Sequence, residues 1–172
     1  AKLGLAALVL LMSVDVSAVT LRVGPRESIR SIAVAAARAQ DGDTVEIVAG
    51  TYLGDVAVWT QKHLTIRGVG GRAWLVAAGR SAEEKGIWVI RGEDVLVENI
   101  AFKGARVRHL NGAGIRLEEG KLTVRNCLFD DNEMGILTAN RDSLSLIVEN
   151  SEFAHGVLVT PRVSHLLYAG HI

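Results

Sequence analysis

Three segments of the chain, Val97-Glu98-Asn99-Ile100-Ala101-Phe102, Val124-Arg125-Asn126-Cys127-Leu128-Phe129 and Val148-Glu149-Asn150-Ser151-Glu152-Phe153, all read Val-x-Asn-x-x-Phe. Their asparagines are 27 and 24 residues apart, a period that marks the stacked coils of a solenoid rather than a compact domain. One coil cannot bury its own apolar face, so each must lie on the next. In the coil around Asn126, the two-residue period of a strand turns Val124 inward and Arg125 outward. Asn126 interrupts that alternation, and beyond it Cys127 and Phe129 return to the interior. The asparagine therefore occupies a sharp bend. It tolerates left-handed backbone angles there, and stacked asparagines would bond one another as a ladder. The phenylalanines would stack inside in the same way.

An earlier coil, Leu64-Thr65-Ile66-Arg67-Gly68, fits the pattern with glycine at the bend. Down the outward position just before the bend run Arg67, Glu98, Arg125 and Glu149, alternating in sign. Opposite charges on adjacent strands contribute about 0.2–1 kcal/mol per pair, so these four residues set register and carry no chemistry. The stretch from Leu64 to Gly71 also looks like the strand and glycine turn of a nucleotide site. Position 73 is alanine where the third glycine of that fingerprint belongs, and the repeat explains the strand better.

The chain of 172 residues suits one domain. Its formal charge is zero and its basic residues are scattered, which gives no nucleic-acid footprint and no affinity for an anionic membrane surface. Lys2 precedes an apolar run from Leu3 to Met12, and Val16-Ser17-Ala18 supplies small residues for cleavage, so residues 1–18 read as a signal peptide. That predicts a secreted or periplasmic protein with residues 19–172 as its folded part. The run is shorter than the 20 or so residues needed to span a bilayer. The lone cysteine, Cys127, precludes an intrachain disulfide and occupies the inward slot of Ile100 and Ser151, as a small buried hydrophobe.

From Ser28 to Ala39 the residues Ile29, Ile32, Ala33 and Ala36 fall at helical spacing, and Asp41-Gly42-Asp43 stops the run. A short helix here would cover the open end of the stack. At the other end the chain stops at His171-Ile172, inside a new coil and without a polar cap. The helix is therefore read as incomplete at its C-terminus, with self-association through the uncapped coil as the consequence.

The stretch from Ser28 through Gly50-Thr51-Tyr52, with Ile66-Arg67-Gly68-Val69-Gly70 and the Val-x-Asn-x-x-Phe coils, resembles the right-handed parallel β-helix proteins of the pectin-lyase-like superfamily. The resemblance implies an all-β, right-handed parallel β-helix with a short N-terminal capping helix. Segment Ser164-His165-Leu166-Leu167-Tyr168-Ala169-Gly170 is similar to a His-Asn-x-Tyr-x-Gly strand of secreted bacterial members, with Leu166 in place of asparagine. Because that architecture hosts lyases, hydrolases, epimerases and noncatalytic surface proteins, it fixes no activity.

Superfamily members usually bind polysaccharide along the sheet that here would hold Gly86-Ile87-Trp88-Val89, Gly114-Ile115-Arg116-Leu117, Gly135-Ile136-Leu137-Thr138 and Leu167-Tyr168-Ala169. With the isoleucines inward, the outward row reads Trp88, Arg116, Leu137, Tyr168. An aromatic ring stacks on a sugar face and an arginine pairs with a uronate carboxylate. Trp88, Arg116, Leu137 and His109 are accordingly the substrate-binding candidates. If the protein is an enzyme, β-elimination on a uronic acid needs a neutralised carboxylate, a base and an acid. Arg116 would serve the first, and His165 and Tyr168 the others, with His155 a further candidate. In the turn Asp130-Asp131-Asn132-Glu133, the carboxylates Asp130, Asp131 and Glu133 would hold Ca²⁺, act as the acid and base of a hydrolase, or form a solvated polar turn. The sequence thus predicts a secreted β-helix that binds or cleaves an acidic polysaccharide, the alternatives being a noncatalytic surface or carbohydrate-binding solenoid or an inactive fragment of a longer β-helix enzyme.

Overall fold

The computed structural model describes residues 17–160 and 163–168. The predicted export segment, apart from its last two residues, and the chain end at 169–172 lie outside the described residues. Near the N-terminus come β1 (Thr20–Val23), α1 (Ile32–Arg38), β2 (Thr44–Leu53) and β3 (Ala57–Trp59). β4 (Thr65–Val76) and β5 (Gly86–Ile90) form the next coil, followed by β6 (Val95–Glu98), β7 (Ile100–Lys103) and β8 (Ala113–Leu117). β9 (Lys121–Arg125), β10 (Leu128–Asp130) and β11 (Met134–Thr138) repeat that pattern. The last coil holds β12 (Ser145–Glu149), β13 (Glu152–Ala154), β14 (Leu158–Thr160) and β15 (Val163–Tyr168).

Strands pair in parallel with their counterparts one coil away, so the chain is a parallel β-helix with one short helix at its start. One sheet has two arms, β12-β9-β6-β4 and β4-β7-β10-β13, which diverge at the asparagine corner. The second sheet runs β15-β11-β8-β5-β3 in parallel, with β14 antiparallel on β15. No helix among the described residues is long and apolar enough to cross a membrane.

The corner works as the repeat predicts, with one change of partner. Asn99, Asn126 and Asn150 have φ of 56°, 53° and 47°, in the left-handed region that asparagine tolerates. Instead of bonding another asparagine, the Asn99 side chain donates to the carbonyls of Gly68 and Gly71, both at 3.0 Å. The glycine expected at the same bend is needed for a different reason. A Cβ on Gly68 would lie 2.2 Å from the Asn99 carbonyl oxygen, so the requirement is close approach rather than a left-handed angle. Arg67 pairs with Glu98 and Ala73 with Ile100, so residues 68–72 form a wide corner where the later coil needs Asn99 alone. β4 runs continuously through it, which excludes the nucleotide-binding turn.

Inside, the aromatic residues form a column from coil to coil. Phe102 stacks on Phe129 at 5.1 Å and 7°, and Phe129 on Phe153 at 4.8 Å and 11°. Trp88 meets Phe102 edge-on at 5.0 Å and Trp59 meets Trp88 at 5.3 Å. Such pairs contribute about 0.5–1.5 kcal/mol beyond burial. Cys127 lies in the same core, where burial pushes its thiol up to about 11.

Outside, the alternating charges are in register and extend further than the sequence reading placed them. Arg22 faces Glu46, Glu46 faces Arg67, and the row continues through Glu98 and Arg125 to Glu149. Glu46 accepts from Arg67 at 2.7 Å and from Arg22 at 3.0 Å, and Arg125 reaches Glu149 at 2.8 Å.

The cap is shorter than its apolar spacing predicts. It starts at the N-cap Ser31, burying Ile32, Ala35 and Ala36 while Ala33 faces solvent. Ile29 is buried too, but in a bridge to Val23. Asp55 accepts from the amides of Ile32 (2.6 Å) and Ala33 (3.0 Å) and from the Ser31 hydroxyl, satisfying donors that a helix start leaves free. Asp43 likewise takes the amides of Val19 and Gln40, each at 2.8 Å.

Candidate functional site

Trp88 is not on the outward row. Its backbone pairs with Ile115, its ring is fully buried, and Val89 takes the position opposite Arg116. Gly86 aligns with Ala113 rather than Gly114, and a slip of one residue turns a side chain to the opposite face of a strand. The row therefore reads Val89, Arg116, Leu137, with Tyr168 next by backbone register. Leu137 is in the predicted place but only 7% exposed, packed with Ala113 and Met134. Neither Trp88 nor Leu137 thus offers a surface on which a sugar ring can stack.

Arg116 and His109 do come together. With Asn111 they line a cleft of about 320 Å³, whose opposite wall is the turn Glu83-Glu84-Lys85. Four neighbours around Arg116 are locked in ion pairs. Glu118 accepts from Lys85 at 2.7 Å and from Arg91 at 2.8 Å, and Glu83 bonds both cations. Hydrogen bonds from Arg91 and Lys85 hold Glu83 down at about 2. For Glu118, burial pulls its pKa upward, but the bonds from Lys85 and Arg91 outweigh this and leave it below the ordinary value. Lys85 is raised, chiefly by its bond to Glu118.

The remaining groups keep their hydrogen-bonding capacity. Arg116 is mostly covered, its Nε has no hydrogen-bond partner, and its nearest carboxylate oxygen, on the already engaged Glu118, is 3.8 Å away. Glu84, His109 and Asn111 make no side-chain hydrogen bond among the described residues. The arrangement is a polar cleft lined by one guanidinium whose Nε is itself buried, one imidazole and one amide. Such a set suits a carboxylate carried on a hydroxylated body.

The turn at Asp130-Asp131-Asn132-Glu133 is neither a calcium cage nor a solvated loop. Asp130 accepts from Lys103 and from His155, each at 2.7 Å, and Asp131 from Arg106 at 2.7 Å. Glu133 accepts the amides of Val107 (3.0 Å) and Gly112 (2.7 Å). Calcium requires six to eight converging oxygens, whereas these carboxylates point to separate cations and amides. No group of three possible ligands capable of holding a metal occurs among the described residues, so the residues do not fit Ca²⁺. Lys103, then His155, hold Asp130 below the ordinary aspartate range, which opposes its use as a proton donor. Asn132 and Glu133 are each 3% exposed.

Along β15, His165 takes the register position of Met134 and Ala113, and Tyr168 that of Leu137 and Arg116. Two strand spacings, roughly 10 Å of backbone, separate Tyr168 from Arg116. Asp131 belongs instead with Arg106. Sequence reasoning missed Glu83, Glu84, Lys85, Arg91 and Glu118. One signal was available, because Glu118 follows Arg116 by two residues and so shares its face, opposite Arg91.

No family model matches the chain, and no curated protein does. Among solved structures, it is similar to a pectin methylesterase from Aspergillus niger, at 13% sequence identity and a TM-score of 0.46. The likeness covers 78% of this chain, which spans 57% of the length of that structure.

Proposed function

We propose that the protein is an exported β-helix that binds an acidic polysaccharide, with a uronate carboxylate held by Arg116 in the cleft beside His109 and Asn111. The observation that carries this reading is Arg116 itself. Its side chain lines the cleft with 22% of its surface exposed, its buried Nε lies no nearer than 3.8 Å to a carboxylate, and the neighbouring cations Lys85 and Arg91 are already paired at 2.7 and 2.8 Å. A planar guanidinium matches a carboxylate in two-point contact, and the neighbouring imidazole and amide suit sugar hydroxyls.

A β-elimination reading goes further. Arg116 neutralises the carboxylate and His109, in the same cleft, takes the proton beside it. The electron pair left behind forms the new carbon–carbon double bond as the glycosidic carbon–oxygen bond breaks, and the leaving oxygen takes a proton from an acid for which His165 and Tyr168 on β15 are the candidates. Calorimetric titration of the protein with oligogalacturonate, oligoalginate and methyl-esterified oligogalacturonate tests the binding. The acidic oligomers should bind, the esterified one should not, and Arg116→Ala should lose roughly tenfold or more in affinity. Equal affinity for the esterified oligomer would overturn the carboxylate assignment. Appearance of unsaturated product by ultraviolet absorbance, lost in His109→Ala, separates cleavage from binding alone.

A further inference from the structure

We infer that Glu133 is a positioning residue for the cleft, acting from the next coil through the backbone of the loop that carries His109 and Asn111. The inference rests on the binding reading above and names what sets the geometry of that site. The loop runs from Gly104 to Gly112, between β7 and β8, and its tip is exposed, with Leu110 at 54%. Two of its amides, one mid-loop and one at its last residue, are held on one carboxylate. Glu133 accepts the amide of Val107 at 3.0 Å and that of Gly112 at 2.7 Å. His109 and Asn111 lie between those two amides in sequence.

The residues before Glu133 fasten the approach to the loop. Asn132 accepts the Ala105 amide at 2.9 Å and donates to the Phe102 carbonyl at 2.9 Å, while Asp131 pairs with Arg106. Glu133 grips both sides of the segment that enters the cleft, which is also turned on itself by the bond from the Leu110 amide to the Val107 carbonyl. A buried carboxylate bridging two amides fixes their separation, and with it the arc on which the imidazole and amide side chains stand. Both amides converge on the same oxygen, Oε2, so Gln at this position keeps the size and one acceptor oxygen but loses the charge that strengthens both bonds.

The test compares unmodified protein with Glu133→Gln, Glu133→Asp and Arg116→Ala. Hydrogen exchange should show the amides of Val107 and Gly112 protected in the unmodified protein although they belong to a surface loop. Rapid exchange at both would overturn the inference without any variant, which covers the case in which Glu133→Gln does not fold. In Glu133→Gln, both amides should exchange faster, the His109 ring resonances should shift, and affinity for oligogalacturonate should fall roughly tenfold or more. Glu133→Asp should recover part of that affinity, a rescue that simple destabilisation would not produce. Arg116→Ala should lose roughly tenfold or more in affinity and leave the loop amides protected. Affinity within twofold of the original in Glu133→Gln, with the loop amides deprotected, would sink the positioning role while leaving the binding reading intact. Should the unmodified protein bind none of the oligomers, the binding reading fails. Glu133 is then judged on the His109 resonances, whose constancy in Glu133→Gln would overturn its role as well.

Discussion

The two outer flanks of this β-helix use the same residue types to opposite ends. Along the arm formed by β1, β2, β4, β6, β9 and β12, charges alternate in sign at each step from Arg22 to Glu149. Around the loops beside β5 and β8, Lys85 and Arg91 are likewise spent on Glu83 and Glu118, but Arg116 is left with an unbonded Nε. Regular coils let each charge find its answer one strand away. Beside the irregular turn at Glu83-Glu84-Lys85 the pairing is uneven, and Arg116 comes no nearer than 3.8 Å to a carboxylate. The comparison teaches that function in such a solenoid is to be sought where periodicity fails.

The largest effect should come from the periodic interior. Phe129 lies between Phe102 and Phe153 in the stacked column, and Phe129→Ala removes both ring contacts and opens a cavity. A loss of about 3–5 kcal/mol is expected in denaturant unfolding. Arg116→Ala, on the irregular flank, should leave the midpoint nearly unchanged while lowering oligosaccharide affinity roughly tenfold or more. If both variants destabilise alike, the division between scaffold and site is wrong.

A smaller effect is expected at the corner. Asn99 combines a φ of 56° with two side-chain bonds to the carbonyls of Gly68 and Gly71. Asn99→Ala loses the bonds and forces an alanine into the left-handed region, a combined cost of about 2–3 kcal/mol. Asn99→Gly removes only the bonds, and should recover about 1 kcal/mol or more of that cost. Identical unfolding midpoints for the two variants would show that backbone conformation is not what the asparagine supplies.

The scaffold was legible because its demands repeat. Valine, asparagine and phenylalanine recur at spacings that a single coil geometry dictates, so the parallel stack, the ring column and the charge ladder could all be read from residue order. On the second sheet the backbone register was legible from Arg116 to Tyr168 and failed at Trp88 through a glycine. Gly114 is required because a Cβ there would press within 2.8 Å of the Phe129 ring, whereas one on Gly86 would strike the Ala113 carbonyl at 2.3 Å. Identical residues with different causes were aligned as equivalents, and the tryptophan was turned outward. The grip of Glu133 on Val107 and Gly112 was illegible for another reason. It joins a side chain to backbone amides more than twenty residues away in a turn without a repeat, and no spacing rule announces such a contact.

The smallest effect tests whether the ladder is as passive as this contrast requires. Glu46 accepts from both Arg67 and Arg22, and the bond from Arg67, opposed by slight burial, is the main reason that its carboxyl titrates below the ordinary 4.5. A carboxylate whose pKa is depressed by folding stabilises above its unfolded value and loses that contribution as pH falls through its folded value. Glu46→Gln should therefore cost less than about 1 kcal/mol at neutral pH, as expected for exposed pairs. The difference from the unmodified protein should shrink towards zero as pH drops below 4.5 and should also weaken with added salt. Unfolding midpoints measured across that acid range decide the matter. A gap that stayed constant down to low pH would mean that Glu46 acts through packing rather than charge, and that the regular flank is not held in register by its alternating signs.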